Sequence, residues 1–242
     1  MKVVILAGGF GTRLGVETKL KPKPMVKIGK DPIIIHIIRI YEYFGIKEFI
    51  IAGGYKYNFI KEFFKNKKFK NLKIRIINTG NKSMTGGRIY RLKKYLKEEQ
   101  FMLTYGDGLA NIDIIKLLKF HNKHKKIATI SVVRPPARWG HVTIKKNFIS
   151  KFDEKNQLNE GWINGGFFVF EKEIFNYFKK FKLKDKVVLE KDILPKISKE
   201  KKLIAYKHVG FWKCMDTLRD KIYLIDLIKK NKFPWMDFAN DK

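Results

Sequence analysis

A glycine-rich loop that ends in an arginine could bind phosphate groups. The loop reads GGFGTR over residues 8–13 and follows the apolar run of residues 3–6. Glycine lets the backbone approach phosphate oxygens and direct its N–H groups at them, and Arg13 can add a charge-assisted hydrogen bond. Leu14 stands where a dinucleotide-binding fingerprint has its third glycine, and no Gly-Lys-Ser/Thr sequence is present, so neither that fingerprint nor a P-loop is indicated.

Two aspartates could hold a metal ion beside bound phosphates. Asp107 follows the apolar residues 101–105 and stands between two glycines, and Asp216 precedes the last predicted helix. Carboxylate oxygens suit Mg²⁺, which often shares its coordination shell with substrate phosphates. Each aspartate also has a purely structural interpretation, which is a tight Asp-Gly turn for Asp107 and a helix N-cap for Asp216. The residues alone leave both interpretations open.

The elements that must position these groups alternate between strands and helices. A continuous apolar run predicts a strand over residues 3–6, and further strands are expected over residues 48–52, 72–78, 101–105 and 127–133. Helices are expected between them, over residues 31–44, 57–65, 85–97 and 113–124. This order predicts an α/β fold with a Rossmann-like, mixed but mostly parallel sheet and helices on both faces. Ligands of such sheets bind beyond the carboxyl ends of the strands, where the glycine-rich loop and Asp107 are found.

The remainder of the chain mixes shorter elements. Strands are expected over residues 141–144, 149–152, 162–170 and 203–208, and helices over 172–180, 189–199 and 217–229. The helix over 189–199 is expected to break or kink at Pro195. For the helix over 31–44 we expect Asp31 as N-cap, Pro32 in the first turn and Gly45 beyond the end. No repeat or linker divides the chain, which favours a single domain over residues 1–242.

The composition is typical of a globular protein in a reducing compartment. Hydrophobic residues make up 45% of the 242 residues, and the single cysteine, Cys214, cannot form an internal disulfide. We therefore expect a cytoplasmic protein. No apolar run reaches the roughly 18 residues that a membrane span needs, so no membrane association is expected.

A net charge of +30 leaves two interpretations open. It could indicate a polyanionic partner such as nucleic acid, or it could reflect a lysine-rich composition without a dedicated partner. Most of the cations are lysines scattered along the chain, and aromatic residues such as Phe101, Phe167 and Phe168 lie in apolar runs typical of a core. A basic nucleic-acid-binding protein is therefore the less favoured alternative.

Two motifs in sequence resemble the signature of a known family. GGFGTRL at residues 8–14, followed by KPKPMV at residues 21–26, resembles the sugar-nucleotide pyrophosphorylases, and the resemblance covers almost the whole chain. Taken alone, KPKP would indicate an exposed basic turn, because the prolines keep both lysines out of a helix. The resemblance implies an enzyme of glycosyltransferase-A-like fold that joins a nucleoside monophosphate from an NTP to a sugar 1-phosphate and releases pyrophosphate. A homo-oligomer is also expected.

The resemblance also implies roles for particular residues. Arg13, Lys23 and Asp107 would be catalytic, and Asp107 and Asp216 would hold one Mg²⁺. Residues implied to bind the nucleotide are Leu6, Ala7, Gly8, Gly9, Gly11, Thr12, Arg13, Ser83, Gly87 and Gly106. The strings SMTGGR at residues 83–88 and GGYK at residues 53–56 resemble the members that use CTP.

The acceptor side is implied by further matches to the family. The residues concerned are Gly140, Glu154, Lys155, Asn164 and Gly165. Glucose 1-phosphate is the expected acceptor, and another NTP or another phosphate acceptor, including a non-sugar one, stays open. No general base is required, because a sugar phosphate with a second pKa of about 6 is largely dianionic at neutral pH.

Overall fold

Strands and helices alternate along the part of the chain that the structure describes. This computed structural model describes residues 1–67, 69–135, 141–153 and 161–238, and for residues 141–145 and 151–153 it describes the backbone alone. The described strands are β1 (Lys2–Ala7), β2 (Lys27–Ile28), β3 (Asp31–Pro32), β4 (Glu48–Gly53), β5 (Lys73–Asn78), β6 (Phe101–Tyr105), β7 (Gly108–Ala110), β8 (Ala128–Val133), β9 (His141–Lys145), β10 (Phe148–Asp153), β11 (Ile163–Phe170), β12 (Leu203–Lys207) and β13 (Trp212–Cys214). The described α-helices are α1 (Val16–Leu20), α2 (Ile33–Tyr43), α3 (Tyr57–Asn66), α4 (Thr85–Arg91), α5 (Lys93–Leu96), α6 (Ile114–His124), α7 (Leu194–Lys199) and α8 (Leu218–Lys229).

Seven of the strands form one mixed sheet with β1 near its centre. The strand order is β12-β8-β11-β6-β1-β4-β5. The β6-β1-β4-β5 pairings are parallel, as is β12 with β8, whereas β11 runs antiparallel to both of its neighbours. The predicted mixed, mostly parallel sheet is confirmed.

Alternate residues of β1 face opposite sides of this sheet. Val3 and Ile5 belong to a core that they share with α2, α3, α6 and α8, whereas Val4 and Leu6 belong to a second core with α4, α5 and α7. One continuous apolar run serves both cores because the side chains of a strand alternate between its faces. Helices therefore cover both faces, as predicted.

The aromatic residues that the sequence placed in the core are buried. Phe101, Phe167 and Phe168 are each at most 1% exposed. Their rings are consequently not available to stack on the bases of a nucleic acid. Every helix among the described residues is too short or too polar to cross a membrane.

The start of α2 differs from the prediction. Pro32 is the N-cap, and the first amide of the helix, that of Ile33, donates to the carbonyl of Val26 at 3.0 Å. Asp31 is therefore not needed as a cap, and its carboxylate instead binds Arg39 at 2.7 Å and Lys67 at 2.8 Å.

Three other predicted helices also differ in detail. The helix expected over 85–97 is interrupted at Leu92, and the segment Lys172–Phe178 forms 3-10 turns rather than an α-helix. The predicted break near Pro195 is confirmed, because a π-helical turn over Leu189–Ile193 precedes α7. Pro195 lies in the first turn of α7, where its missing N–H removes no helical hydrogen bond.

A two-stranded ribbon that the sequence analysis did not predict lies beyond the carboxyl end of β6. In this ribbon β7 pairs antiparallel with β13, and Gly108 lies opposite Cys214. The amide of Met215 extends the pairing by donating to the carbonyl of Asp107 at 2.9 Å. The ribbon thus joins the segment after β6 to the segment before α8.

Candidate active site

A cavity of about 640 Å³ lies at the carboxyl ends of β1 and β6, beside the amino end of the antiparallel strand β11. Most of the residues predicted for catalysis or nucleotide binding line it, namely Leu6, Ala7, Gly8, Gly9, Gly11, Arg13, Lys23, Ser83, Gly106, Asp107 and Asp216. Asn164 and Gly165, which were predicted for the acceptor, line it as well. Gly140, Glu154 and Lys155 lie outside the described residues. The structure thus brings members of both predicted sets to one cavity.

The glycine-rich loop packs directly against Lys23. Gly11 has a φ of +64°, a left-handed conformation that favours glycine. A Cβ at this position would lie 2.8 Å from the Cβ of Lys23. Lys23 itself is 9% exposed, so the alternative of an exposed basic turn is wrong for this lysine. The loop therefore directs the lysine side chain along the floor of the cavity.

The ammonium group of Lys23 lies between the two candidate metal-binding carboxylates. Its Nζ is 2.5 Å from Asp107 Oδ2 and 2.5 Å from Asp216 Oδ1. A guanidinium nitrogen of Arg13 lies 3.1 Å from the other oxygen of Asp216, and the Arg13 side chain is 73% exposed. Four of the residues with predicted chemical roles therefore form one charged cluster that faces the cavity.

The purely structural interpretation of Asp216 does not apply. The N-cap of α8 is Thr217, which forms a capping box with Asp220. Asp216 precedes this cap, so its carboxylate is free to reach Lys23 and Arg13. The Asp107 segment does form a tight turn, but the β7–β13 ribbon holds that turn beside Asp216.

Electrostatics keep the ammonium group of Lys23 charged. Burial by itself would lower the pKa of Lys23, but attraction to Asp107 and hydrogen bonds to both carboxylates outweigh it and raise the pKa. Burial and the neighbouring Asp107 raise the pKa of the Cys214 thiol, so this group is neutral. Ligand atoms of Asp107, Cys214 and Asp216 lie within 4.8 Å of one another, the one group of this kind in the described part of the chain.

Arg88 is a buried residue whose contacts the sequence analysis missed. Its guanidinium group donates to the carbonyl of Gly8 at 2.7 Å, to Thr79 Oγ1 at 2.8 Å and to the carbonyl of Gly80 at 2.8 Å. Burial, together with Arg91, lowers the pKa of Arg88 to about 10. Arg88 therefore ties the loop after β1 to the loop after β5. The one feature of the sequence that could have pointed to Arg88 was its position at the end of the SMTGGR string.

Two residues predicted to bind the nucleotide do not line the cavity. Thr12 is exposed and starts a 3-10 turn over Thr12–Leu14. Gly87 is buried, and its amide donates to the carbonyl of Val187 at 3.0 Å. A Cβ on Gly87 would lie 2.5 Å from the carbonyl oxygen of Asp185, so a close backbone contact explains the glycine here.

The side of the cavity that was predicted to bind the acceptor is built on an irregular part of β11. The pairing of β11 with β8 shifts between residues 164 and 168, and Gly166 has a φ of +83°. The indole N–H of Trp212 donates to the carbonyl of Gly165 at 2.8 Å, which fixes this irregular segment to the ribbon. Asn164 Oδ1 accepts from the amide of Gly166 at 2.8 Å, and Asn164 Nδ2 donates to the hydroxyl of Tyr105 at 3.0 Å. The sequence analysis did not single out Tyr105.

The structure defines an α/β protein with a charged cavity at the carboxyl edge of its mostly parallel sheet. A family model described as nucleotidyl transferase matches residues 2–237. The chain belongs to the nucleotidyl transferase family.

Known relatives agree with this assignment. Glucose-1-phosphate cytidylyltransferase of Salmonella typhimurium is 41% identical over 97% of this chain and 98% of its own length. D-glycero-alpha-D-manno-heptose 1-phosphate guanylyltransferase of Campylobacter jejuni is 37% identical over 74% of this chain and 79% of its own length. The crystal structure of HddC from Yersinia pseudotuberculosis superposes with a TM-score of 0.74 at 26% identity, covering 94% of this chain and 99% of that one.

Proposed function

We propose that this chain transfers CMP from CTP to the phosphate of glucose 1-phosphate and releases pyrophosphate. The names of relatives from Salmonella typhimurium and Bacillus subtilis support this pairing of substrates, at 41% and 35% identity over 97% of the chain. The proposal includes a single nucleotidyltransferase domain over residues 1–242, one bound Mg²⁺ and a homo-oligomeric state.

The exposed Phe148 and Ile149 on β10 favour self-association, which sedimentation velocity would measure.

The observation that carries the proposal is the position of Lys23 between Asp107 and Asp216. Both carboxylates already bracket one cation, the lysine ammonium, at 2.5 Å on each side. Oxygen donors of this kind fit Mg²⁺, which would be held by Asp107 and Asp216. When bound, Mg²⁺ would neutralise charge on the phosphates and polarise the attacked phosphorus.

The chain's own residues supply positioning and positive charge. An oxygen of the acceptor phosphate attacks the α-phosphorus of CTP, and the bond from that phosphorus to the pyrophosphate oxygen breaks. Because the acceptor is already a dianion, the obstacle is the approach of two anions rather than the removal of a proton. Lys23 and Arg13 line the cavity and lower this repulsion by placing fixed positive charge beside the triphosphate.

The test is pyrophosphate release across a matrix of substrates. CTP, UTP, dTTP, ATP and GTP would each be combined with glucose, mannose and heptose 1-phosphates, with Mg²⁺ and with excess chelator. The proposal expects Mg²⁺-dependent release with CTP and glucose 1-phosphate, and none from Asp107→Asn. Release confined to GTP and a heptose 1-phosphate would instead assign the substrates named for the Campylobacter jejuni relative. No release from any pair would refute the proposed reaction.

A further inference from the structure

Glu190 binds two residues that line the cavity, although it belongs to none of the sequence motifs described above. It lies in the π-helical turn over Leu189–Ile193. One carboxylate oxygen accepts from the hydroxyl of Thr85 at 2.6 Å, and the other accepts from the hydroxyl of Tyr105 at 2.5 Å. Thr85 begins α4 and Tyr105 ends β6, so Glu190 binds one residue of α4 and one residue of β6. Single π-turns are often found at functional sites.

Two further hydrogen bonds stabilise the π-helical turn that carries Glu190. The amide of Leu189 donates to Thr85 Oγ1 at 2.9 Å, so the threonine hydroxyl accepts from the turn and donates to its glutamate. The carboxylate of Asp192 accepts from the amide of Val188 at 2.7 Å. These contacts hold the turn that carries Glu190 against the start of α4.

The two hydroxyl groups that donate to Glu190 fix the direction of the hydrogen bonds beyond it. A carboxylate only accepts, so the Tyr105 hydroxyl must donate its proton to Glu190. The Tyr105 oxygen can then only accept from Asn164, and the N–H donor of Asn164 must face it. The backbone amide of Gly166, which can only donate, binds the oxygen of the same carboxamide at 2.8 Å, so both neighbours of Asn164 require the same orientation.

This chain of hydrogen bonds selects one of the two possible orientations of the Asn164 carboxamide. A neutral partner in place of Glu190 could donate to Tyr105, and Tyr105 could then donate to Asn164. Tyr105 and Gly166 would then both present donors to a carboxamide with a single oxygen, so the orientation of Asn164 would no longer be fixed. Asn164 lines the cavity on the acceptor side, so its orientation decides where a bound acceptor meets an N–H donor and where it meets an oxygen.

We propose that Glu190 is a positioning residue for the acceptor, acting through Tyr105 to set the orientation of the Asn164 carboxamide. The inference rests on the proposed function, in which Asn164 faces the phosphorylated acceptor. Glu190 is absent from the cavity lining, so it acts through its neighbours rather than on the substrate.

The kinetic test compares Glu190→Gln, Tyr105→Phe and the double variant. A glutamine offers one acceptor oxygen to two donating hydroxyls, and a phenylalanine removes the relay oxygen. Each single variant is expected to raise the KM for glucose 1-phosphate by roughly 3- to 10-fold, the value of one misplaced hydrogen bond, with the KM for CTP nearly unchanged. The double variant is expected to be no worse than either single variant, because both act on the same contact. Glu173→Gln, on an exposed glutamate, is the matched control.

A second measurement does not depend on turnover. The side-chain amide signals of Asn164, assigned by their loss in Asn164→Asp, would be followed by ¹H–¹⁵N NMR of the ligand-free protein. Glu190→Gln and Tyr105→Phe should each shift them, and Glu173→Gln should not. Unshifted Asn164 signals in both variants would overturn the inference. It would also be overturned if the variants raised the KM for both substrates alike and lowered the melting temperature to match, because a general loss of structure would then explain the kinetics. Failure of the wild type to turn over would count against the proposed function alone.

Discussion

The charged cluster around Lys23 makes a quantitative prediction for Lys23→Met. Methionine keeps the aliphatic volume that packs against Gly11 but removes the ammonium from between Asp107 and Asp216. Breaking a fully buried ion pair costs about 3–5 kcal/mol, and exposed pairs contribute about 0–1 kcal/mol. Here the lysine side chain is 11% exposed and the two carboxylates are 22% and 25% exposed, so the cluster lies between these limits.

We therefore expect Lys23→Met to lower the free energy of unfolding by about 1–3 kcal/mol without metal. For a chain of this length the loss corresponds to a fall in Tm of roughly 2–12 °C. Saturating Mg²⁺ should recover most of this fall, because an ion between the two carboxylates replaces the missing cation. The rate should not recover, since loss of one preorganised charge at a reacting centre typically costs about 10²- to 10³-fold in kcat.

The assay combines thermal melts, with and without Mg²⁺, and pyrophosphate release at saturating substrates. Lys21→Met is the matched control, because Lys21 lies in the same KPKP string but pairs only loosely with Glu17, at 3.8 Å. Wild-type turnover by Lys23→Met would refute the phosphate role of the lysine. A Tm deficit that Mg²⁺ leaves unchanged would refute the argument that the ammonium occupies the place of the metal.

Three further predictions concern the metal, the close packing of α4 at Gly87 and acid stability. Asp107→Asn should abolish Mg²⁺-dependent turnover in a Mg²⁺ titration, and wild-type rates in this variant would remove Asp107 from the metal site. Gly87→Ala should lower the free energy of unfolding by about 1–3 kcal/mol in urea melts, because its Cβ would meet the backbone of Asp185; Gly9→Ala, where a Cβ meets nothing within 4 Å, is the control, and equal losses would contradict the argument. Burial would raise the pKa of Asp31, but Lys67 and Arg39 outweigh it and lower the pKa. The stability that Asp31 adds is thus present above its unfolded pKa of about 3.9 and is lost as the pH falls through its lower folded pKa. Asp31→Asn should lower Tm at pH 7 and converge with the wild type in strong acid, and a Tm difference that stays constant with pH would be evidence against this assignment.

The centre of the sheet could be predicted from sequence because its strands β1, β4 and β6 are mostly apolar. β6 spans Phe101–Tyr105, the range that its apolar residues predicted, and β1 and β4 extend their predicted ranges by at most one residue at each end. Local sequence patterns predicted the structure less well where a contact between distant residues determines how a helix begins. Asp31 looks like a helix cap, yet the carbonyl of Val26 satisfies the helix and Asp31 is free to bind Lys67.

The candidate site was predictable to the extent that its residues lie in short motifs. Lys23, Asp107 and Asp216 belong to such motifs, and the structure brings them together although Lys23 and Asp216 are 193 positions apart. Glu190 carried no comparable signal, because its partners Thr85 and Tyr105 lie 105 and 85 positions away and no local pattern marks such a pairing. Arg88 was missed for a related reason, since its partners are mostly backbone carbonyls, which any sequence provides.

The β7–β13 ribbon makes the order of chain synthesis relevant to activity. Its second strand, Trp212–Cys214, is synthesised about 200 residues after the glycine-rich loop. A nascent chain that has not yet reached β13 lacks the strand that holds Asp216 beside Asp107. Because such distant pairings form only after a large loop has closed, the charged cluster should be among the last parts of the protein to assemble. Chains that end before β13 would then be inactive. Enzymatic activity would therefore report that the segments from β1 to β13 have folded together.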